Sequence, residues 1–174
     1  MTLEELLSRA ESQEEPPFLL VLDGVEDPHN LGAILRTADA AGVHGVVLPE
    51  RRASPVTPAV GRASAGAVDH VRIAQVGNVT RALETLKQRR IWVYGLDMDG
   101  DRDYDALDYN APVAIVAGAE GRGLGRLVRE RCDVVVRIPL AGHVESLNVS
   151  VAASLALFAV RRSRDILKTR ATPT

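Results

Sequence analysis

Several things are scarce in this chain of 174 residues, and each scarcity excludes something. Cys132 is the only cysteine, so no internal disulfide can form and no cysteine metal cluster is supported. It stands beside Asp133 where a strand begins, and it reads as an inert buried thiol. Aromatic residues make up 3% of the chain, which disfavours a stacking platform for single-stranded RNA. No apolar run approaches the length of a membrane span, and residues 1–15 are polar, acidic and amphipathic without the basic start of a signal peptide. The expectation is a cytoplasmic protein with no membrane partner. A basic surplus is missing too, since the net charge is −2. The four histidines, at positions 29, 44, 70 and 143, have no short metal-type spacing, so no metal is expected and His29 reads as a turn residue. There is no GxxxxGK[ST] to support a nucleotide triphosphatase.

What is present is a globular pattern. Hydrophobic residues are 46% of the chain and mean hydropathy is +0.00, in keeping with one folded domain. Thr2-Leu-Glu-Glu5 has the form of a capping box opening a short helix that Pro16-Pro17 would end. Apolar runs at 18–22, 45–48, 70–74, 91–96, 113–117 and 134–138 read as strands. Between them lie helical stretches at 31–41, capped by Asn30 and stopped by Gly42, then after Thr57-Pro58, at 80–89, at 124–131, and from Asn148 to about Lys168. Continuous apolar strands alternating with helices predict a parallel sheet covered on both faces, an α/β/α sandwich. In such sheets ligands bind beyond the carboxyl ends of the strands, here Asp23-Gly24, Leu48-Pro49, Leu96-Asp97, Gly118 and Pro139.

Three stretches invite chemistry. Gly118, Gly121, Gly123 and Gly125 let main chain approach a ligand closely, but the spacing is not GxGxxG and Glu120 would face a pyrophosphate. A nicotinamide oxidoreductase therefore rests only on glycine loops and alternating strands; a ligand with positive charge and a purine suits the loop better. Ser146 or Asn148 can cap the last helix, whose unpartnered N–H groups suit main-chain contacts to a ligand. Asp97, Asp99, Asp101, Asp103, Asp105 and Asp108 crowd one loop, yet an EF-hand counted from Asp97 puts Arg102 where glycine is required and no Glu closes it, so the loop reads as solvated.

The charge pattern is also informative. Nineteen of the 21 basic residues are arginines. They gather at Arg51, Arg52 and Arg62, at Arg122, Arg126, Arg129 and Arg131, and, with Lys168, at Arg161, Arg162, Arg164 and Arg170. Arginine offers a planar fork for phosphate, and a solvated helix face looks the same in sequence. Arg36, six residues after Asn30 in an otherwise apolar helix, either emerges at the rim or shields apolar surface.

Taken together, DPHNLGAILRTADAAGVHGVVLP, IVAGAEGRGL and IPLAGHVESLNVSVAASLALF resemble, in order and spacing, the three motifs of the SpoU (TrmH-like) branch of the SPOUT RNA methyltransferases. The similarity runs from about Leu20 to Arg161. It implies a C-terminal trefoil knot, a homodimer, and transfer of a methyl group from S-adenosyl-L-methionine to a ribose 2′-hydroxyl of RNA. On that resemblance the cofactor is held around Leu96, Gly118, Gly121, Gly123, Ile138, Pro139, Ser146 and Leu147. Asn30, Arg36, Glu120, Ser146 and Asn148 match the polar motif positions, with Arg36 acting on the ribose hydroxyl or an adjacent phosphate. Because arginine stays protonated, phosphate anchoring and stabilisation of a developing alkoxide suit it better than a base role. HNLGAILRTADAAGVHGVV and AGHVESLNVSVA look most like enzymes that methylate a guanosine of large-subunit rRNA; a tRNA enzyme and a noncatalytic RNA-binding protein retaining the knot are the alternatives. Those rRNA enzymes commonly carry a separate N-terminal RNA-binding domain, whereas here residues 1–17 form only a short helical segment before a methyltransferase domain at 18–174.

Overall fold

The computed structural model describes residues 1–171. Its elements in chain order are α1 (Leu3–Glu11), β1 (Phe18–Leu22), α2 (Pro28–Ala40), β2 (Gly45–Pro49), α3 (Pro58–Ala63), a 3-10 turn (Ala67–Asp69), β3 (Ile73–Val76), α4 (Val79–Gln88), β4 (Trp92–Leu96), β5 (Arg102–Asp103), β6 (Val113–Ala117), α5 (Arg126–Arg131), β7 (Val134–Arg137) and α6 (Val149–Ala171). All seven strands pair in parallel, in the order β3-β2-β1-β6-β4-β7-β5. The expected parallel α/β sandwich is what forms.

The central strands show why. FLLVL and VAIVA are buried at every position, so alternate side chains serve opposite faces. Phe18, Leu20, Leu22, Val113 and Ile115 pack with α2 and α6, through Leu31, Ile34, Leu35, Ala153, Leu157 and Val160. Leu19, Val21, Ala114 and Val116 meet α1, α4 and α5 on the other face. Each fully buried leucine or valine contributes about 1.5–3 kcal/mol. Helix α1 is part of this layer, with Leu6, Leu7 and Ala10 fully buried.

Local chemistry moves several boundaries from where the pattern puts them. The Thr2 capping box forms, but α1 stops well before the prolines: the Ser12 hydroxyl and the Gln13 amide both donate to Arg9 O. Helix α2 begins earlier than expected because Asp27 caps it and Pro28 occupies its first turn, which frees Asn30 from capping and places His29 inside the helix rather than in a turn. The strand expected at 70–74 is delayed to Ile73, because Gly66 at φ +85° and the 3-10 turn occupy the backbone before it. Helix α5 starts at Arg126, after Gly125, and not at Leu124.

The third basic cluster is largely structural. Arg164 is 4% exposed and donates to the carbonyls of Tyr109, Pro16, Pro17 and Ala111 while lying 5.2 Å over the Phe18 ring. Burial pulls its pKa down to about 10, with Glu15 opposing, so it stays charged at neutral pH. Arg161 donates to Ala41 O and pairs with Glu15, which Lys168 also reaches. These three cations fasten α6 to the amino end of β1 and are engaged within the protein.

Candidate active site

The carboxyl ends of β4, β6 and β7 open into one cavity of about 300 Å³. Three loops enclose it: 97–100 after β4, 118–125 after β6, and 138–148 after β7. Apolar walls come from Leu96, Val136, Ile138, Leu147 and Val149, and polar ones from Asp97, Asp99, Glu120, Glu145 and Ser146.

The glycine loop folds back on itself. Ala119 N donates to Gly123 O and Gly123 N to Ala119 O, each at 3.1 Å. A Cβ on Gly118 would lie 2.0 Å from Gly123 O, so only glycine allows this closure. Gly121 and Gly123 take φ +69° and +66°, where side chains are strained. Asp97 supports the loop from beneath: its carboxylate accepts from Leu124 N at 3.3 Å and Asp99 N at 3.1 Å and pairs with Arg129 at 3.0 Å. The acidic loop is thus not uniformly solvated. Asp97 is a half-hidden brace; its place at the end of a strand, followed by an asparagine-like turn two residues on, was the only signal for it.

Side chains from the three motif segments meet at the mouth. The Asn30 amide donates to Glu120 Oε1, and Asn148 Nδ2 donates to Asn30 Oδ1 at 3.0 Å. Asn148 Oδ1 in turn accepts from Ser150 N at 2.9 Å and Val151 N at 3.4 Å, capping α6. Helix α2, the glycine loop and α6 are therefore joined by one thread. Asn30 is buried, and its amide has each side used, which fixes its orientation. About two turns further along, Ser154 Oγ donates to Thr37 Oγ1 at 3.0 Å and continues the seam between the helices.

Of the residues singled out in the sequence, Leu96, Gly118, Glu120, Gly121, Gly123, Ile138, Ser146 and Leu147 line the cavity. Asn30 and Asn148 stand behind it through Glu120. Pro139 lies outside the lining. Arg36 does not line it either: it is exposed on α2 and pairs with no other described residue. Met98, Asp99, Glu145 and Ala152 line the cavity without having been foreseen, since only tertiary convergence brings them there. Cys132 is half-buried and not fully buried as expected, yet desolvation pushes its pKa up to about 12, and its thiol donates to Val128 O.

Known proteins are similar to this chain in sequence and in fold. Residues 17–158 match the model of the SpoU rRNA Methylase family. A Bacillus subtilis (strain 168) protein, YacO, whose name assigns it to the TrmH family of tRNA/rRNA methyltransferases, is 51% identical over 163 residues, covering 94% of this chain and 66% of the relative. The chain thus spans just under two thirds of that relative's length. The solved SpoU methyltransferase AviRb from Streptomyces viridochromogenes, in complex with the cofactor AdoMet, superposes with a TM-score of 0.82 at 32% identity, over 91% of this chain and 62% of that one. The A. aeolicus TrmH/SpoU tRNA modifying enzyme gives 0.80 at 26% identity, over 99% and 87%. With its motifs gathered at one cavity and its fold shared with these proteins, the chain belongs to the SpoU rRNA Methylase family.

Proposed function

We propose that this protein is an S-adenosylmethionine-dependent RNA 2′-O-ribose methyltransferase acting on a guanosine of large-subunit rRNA, as a cytoplasmic homodimer whose catalytic domain is residues 18–174. The observation that carries the reading is the convergence of three loops on one cavity, joined at its mouth by Asn30, Glu120 and Asn148.

The residues present suit this cofactor. The charged groups lining the cavity are Asp97, Asp99, Glu120, Glu145 and Arg122, an acidic balance that repels a polyphosphate and attracts a ligand bearing an ammonium and a sulfonium. The apolar walls suit an adenine, and the glycines leave main chain within reach of it. When bound, the cofactor supplies the electrophilic methyl group. The protein's part is to hold the ribose oxygen in line and to manage its proton. Glu120 Oε2 makes no hydrogen bond to a described residue, so it is available to a nucleotide; Asn30 and Asn148 hold that carboxylate in place. Ser146 binds within the same wall, and Arg36 anchors a phosphate and stabilises charge developing on the oxygen.

The knot belongs to the same reading. Its support is the path of the chain: β7 pairs beyond β4, and the 138–148 loop then carries the chain back over the cavity to α6, which packs on the opposite face from α5. Support for the dimer is the stripe of Val151, Leu155 and Phe158, exposed at helical spacing on α6, which also gives Arg36 a second subunit's cavity to serve.

The test is methyl transfer from labelled S-adenosylmethionine to rRNA and tRNA transcripts, with calorimetry of cofactor binding alongside. Label on a ribose 2′-oxygen of rRNA is the expected result. A tRNA substrate is the second reading, favoured by the 87% coverage of the A. aeolicus tRNA modifying enzyme, and label confined to tRNA would establish it. RNA binding without cofactor affinity would replace both with a noncatalytic role.

A further inference from the structure

The arginine clusters separate once their partners are known. In the second, Arg126 pairs with Glu130, Arg129 with Asp97 and Arg131 with Glu84. In the third, Arg161 and Arg164 are fastened to Glu15 and to main-chain carbonyls. Arg51, Arg52 and Arg62 differ: all three are exposed, and none makes a hydrogen bond or ion pair to a described residue. A salt bridge neutralises a guanidinium locally, so this cluster leaves all three of its charges available to an anion, as Arg122, Arg162 and Arg170 do within the other two.

Its place matters as much as its freedom. Arg51 and Arg52 follow β2 at the carboxyl end of the sheet, the end that carries the cavity. Between them and the cavity stands only the end of β1. Asp23 N donates to Ala117 O, a carbonyl of the cavity wall, at 2.9 Å, and the positive charge of Arg52 is felt at Asp23. Gly24 brings this turn against the glycine loop, where an added Cβ would sit 3.0 Å from Ala119 Cβ. With strands about 4.8 Å apart, β6 to β2 is about 10 Å, one to two nucleotide steps of an extended strand. The loop is also held in place. Ser54 is 3% exposed and its N–H donates to Val25 O at 2.9 Å, while Arg52 is kept at φ +59°, a conformation costly for a non-glycine residue.

We propose that Arg51 and Arg52 form a phosphate-binding lip that grips the RNA backbone beside the nucleotide placed in the cavity. This rests on the RNA methyltransferase reading above and adds the surface that holds the substrate. The lip contacts phosphate, not base, so it positions the strand without reading its sequence. The half-buried Asp23 lies within the field of Arg52 and moderates the lip's attraction for free anions.

The experiment compares Arg51→Ala/Arg52→Ala with a charge-matched control, Arg9→Ala/Arg90→Ala, whose exposed residues lie near the ends of α1 and α4 that Arg89 ties together through Glu11, towards the amino end of the sheet. Binding of an rRNA fragment is measured across a salt series, with cofactor affinity and turnover at saturating RNA. The lip double variant should bind RNA on the order of tenfold more weakly, with the salt slope reduced by about 1.4, two contacts at about 0.7 each. Cofactor affinity and saturated turnover should not change. The Arg51→Lys/Arg52→Lys variant should recover most of the binding, which a folding defect would not allow. If the wild type methylates RNA and the lip variant matches the control, the lip is wrong and the functional reading stands. If the wild type neither binds nor methylates RNA, both fall.

Discussion

Two polar networks sit at opposite ends of the same sheet and are built on different principles. At the amino end of β1, Glu15 gathers Arg161, Arg164 and Lys168, and Arg164 spends every guanidinium nitrogen on a protein acceptor. At the carboxyl end, two neutral amides and one carboxylate make the thread Asn148–Asn30–Glu120, and that carboxylate keeps an oxygen in reserve. The first network is closed and holds the fold together. The second is open on one side, and an open network is the kind that can accept a ligand.

The largest effect expected from breaking this contrast is at the open end. Gly118→Ala would drive a methyl group into Gly123 O, and methyl transfer should fall more than about 100-fold because the loop can no longer close. The measurement is turnover with cofactor calorimetry; wild-type cofactor affinity would mean the loop is not part of the binding wall. At the closed end, Arg164→Ala strips partners from four carbonyls and should cost about 3–5 kcal/mol by denaturant unfolding. If cofactor affinity of the folded fraction fell as steeply as stability, the two ends would not be separable.

Glu120→Gln sharpens the comparison, since it keeps the shape of the thread and removes its charge. Turnover should drop about 10–100-fold with stability changed by less than about 1 kcal/mol, and a stability loss with full turnover would make Glu120 structural. Acid should act on the closed end. The Arg161 and Lys168 contacts hold Glu15 down to about 2, from an ordinary value of 4.5. Its contribution is therefore complete above about pH 4.5 and is lost as pH falls towards 2. His44 lies at the same end and accepts from Phe18 N through Nδ1; burial lowers its pKa from 6.5, so its share begins to fade as pH drops below that value. Stability against pH should flatten over the lower window in Glu15→Gln and over the upper one in His44→Gln. The smallest effect concerns Cys132: with its thiol pushed up to about 12, alkylation at pH 8 should be slow in the folded protein and fast in urea, and rapid labelling of the native state would contradict its burial.

The two ends were not equally legible in the sequence. The parallel sheet followed from runs such as FLLVL and VAIVA, whose burial on both faces leaves no alternation to misread. Gly118, Gly121 and Gly123 were readable because backbone closure demands a residue type, and composition records it. Asn148 was readable as a cap. The partnership of Asn30 with Glu120 could not be seen, for the two lie 90 positions apart and pair only through the order of the strands. The role of Arg164 was hidden for a related reason: a buried arginine satisfied by carbonyls has the same letter as a solvated one, and its partners are main chain that any residue would supply. Motif resemblance supplied the association of the three segments that periodicity alone could not.

Helix α6 belongs to both ends. Asn148 precedes its first turn at the cavity, and Arg164, about 24 Å further along by helical rise, is anchored beneath β1. The helix is thus a fixed ruler between them. Inserting or deleting a single residue midway would turn one terminus about 100° against the other, so that the cap and the anchor could not both be seated. This helix can vary in its surface residues while having little freedom to vary in its length.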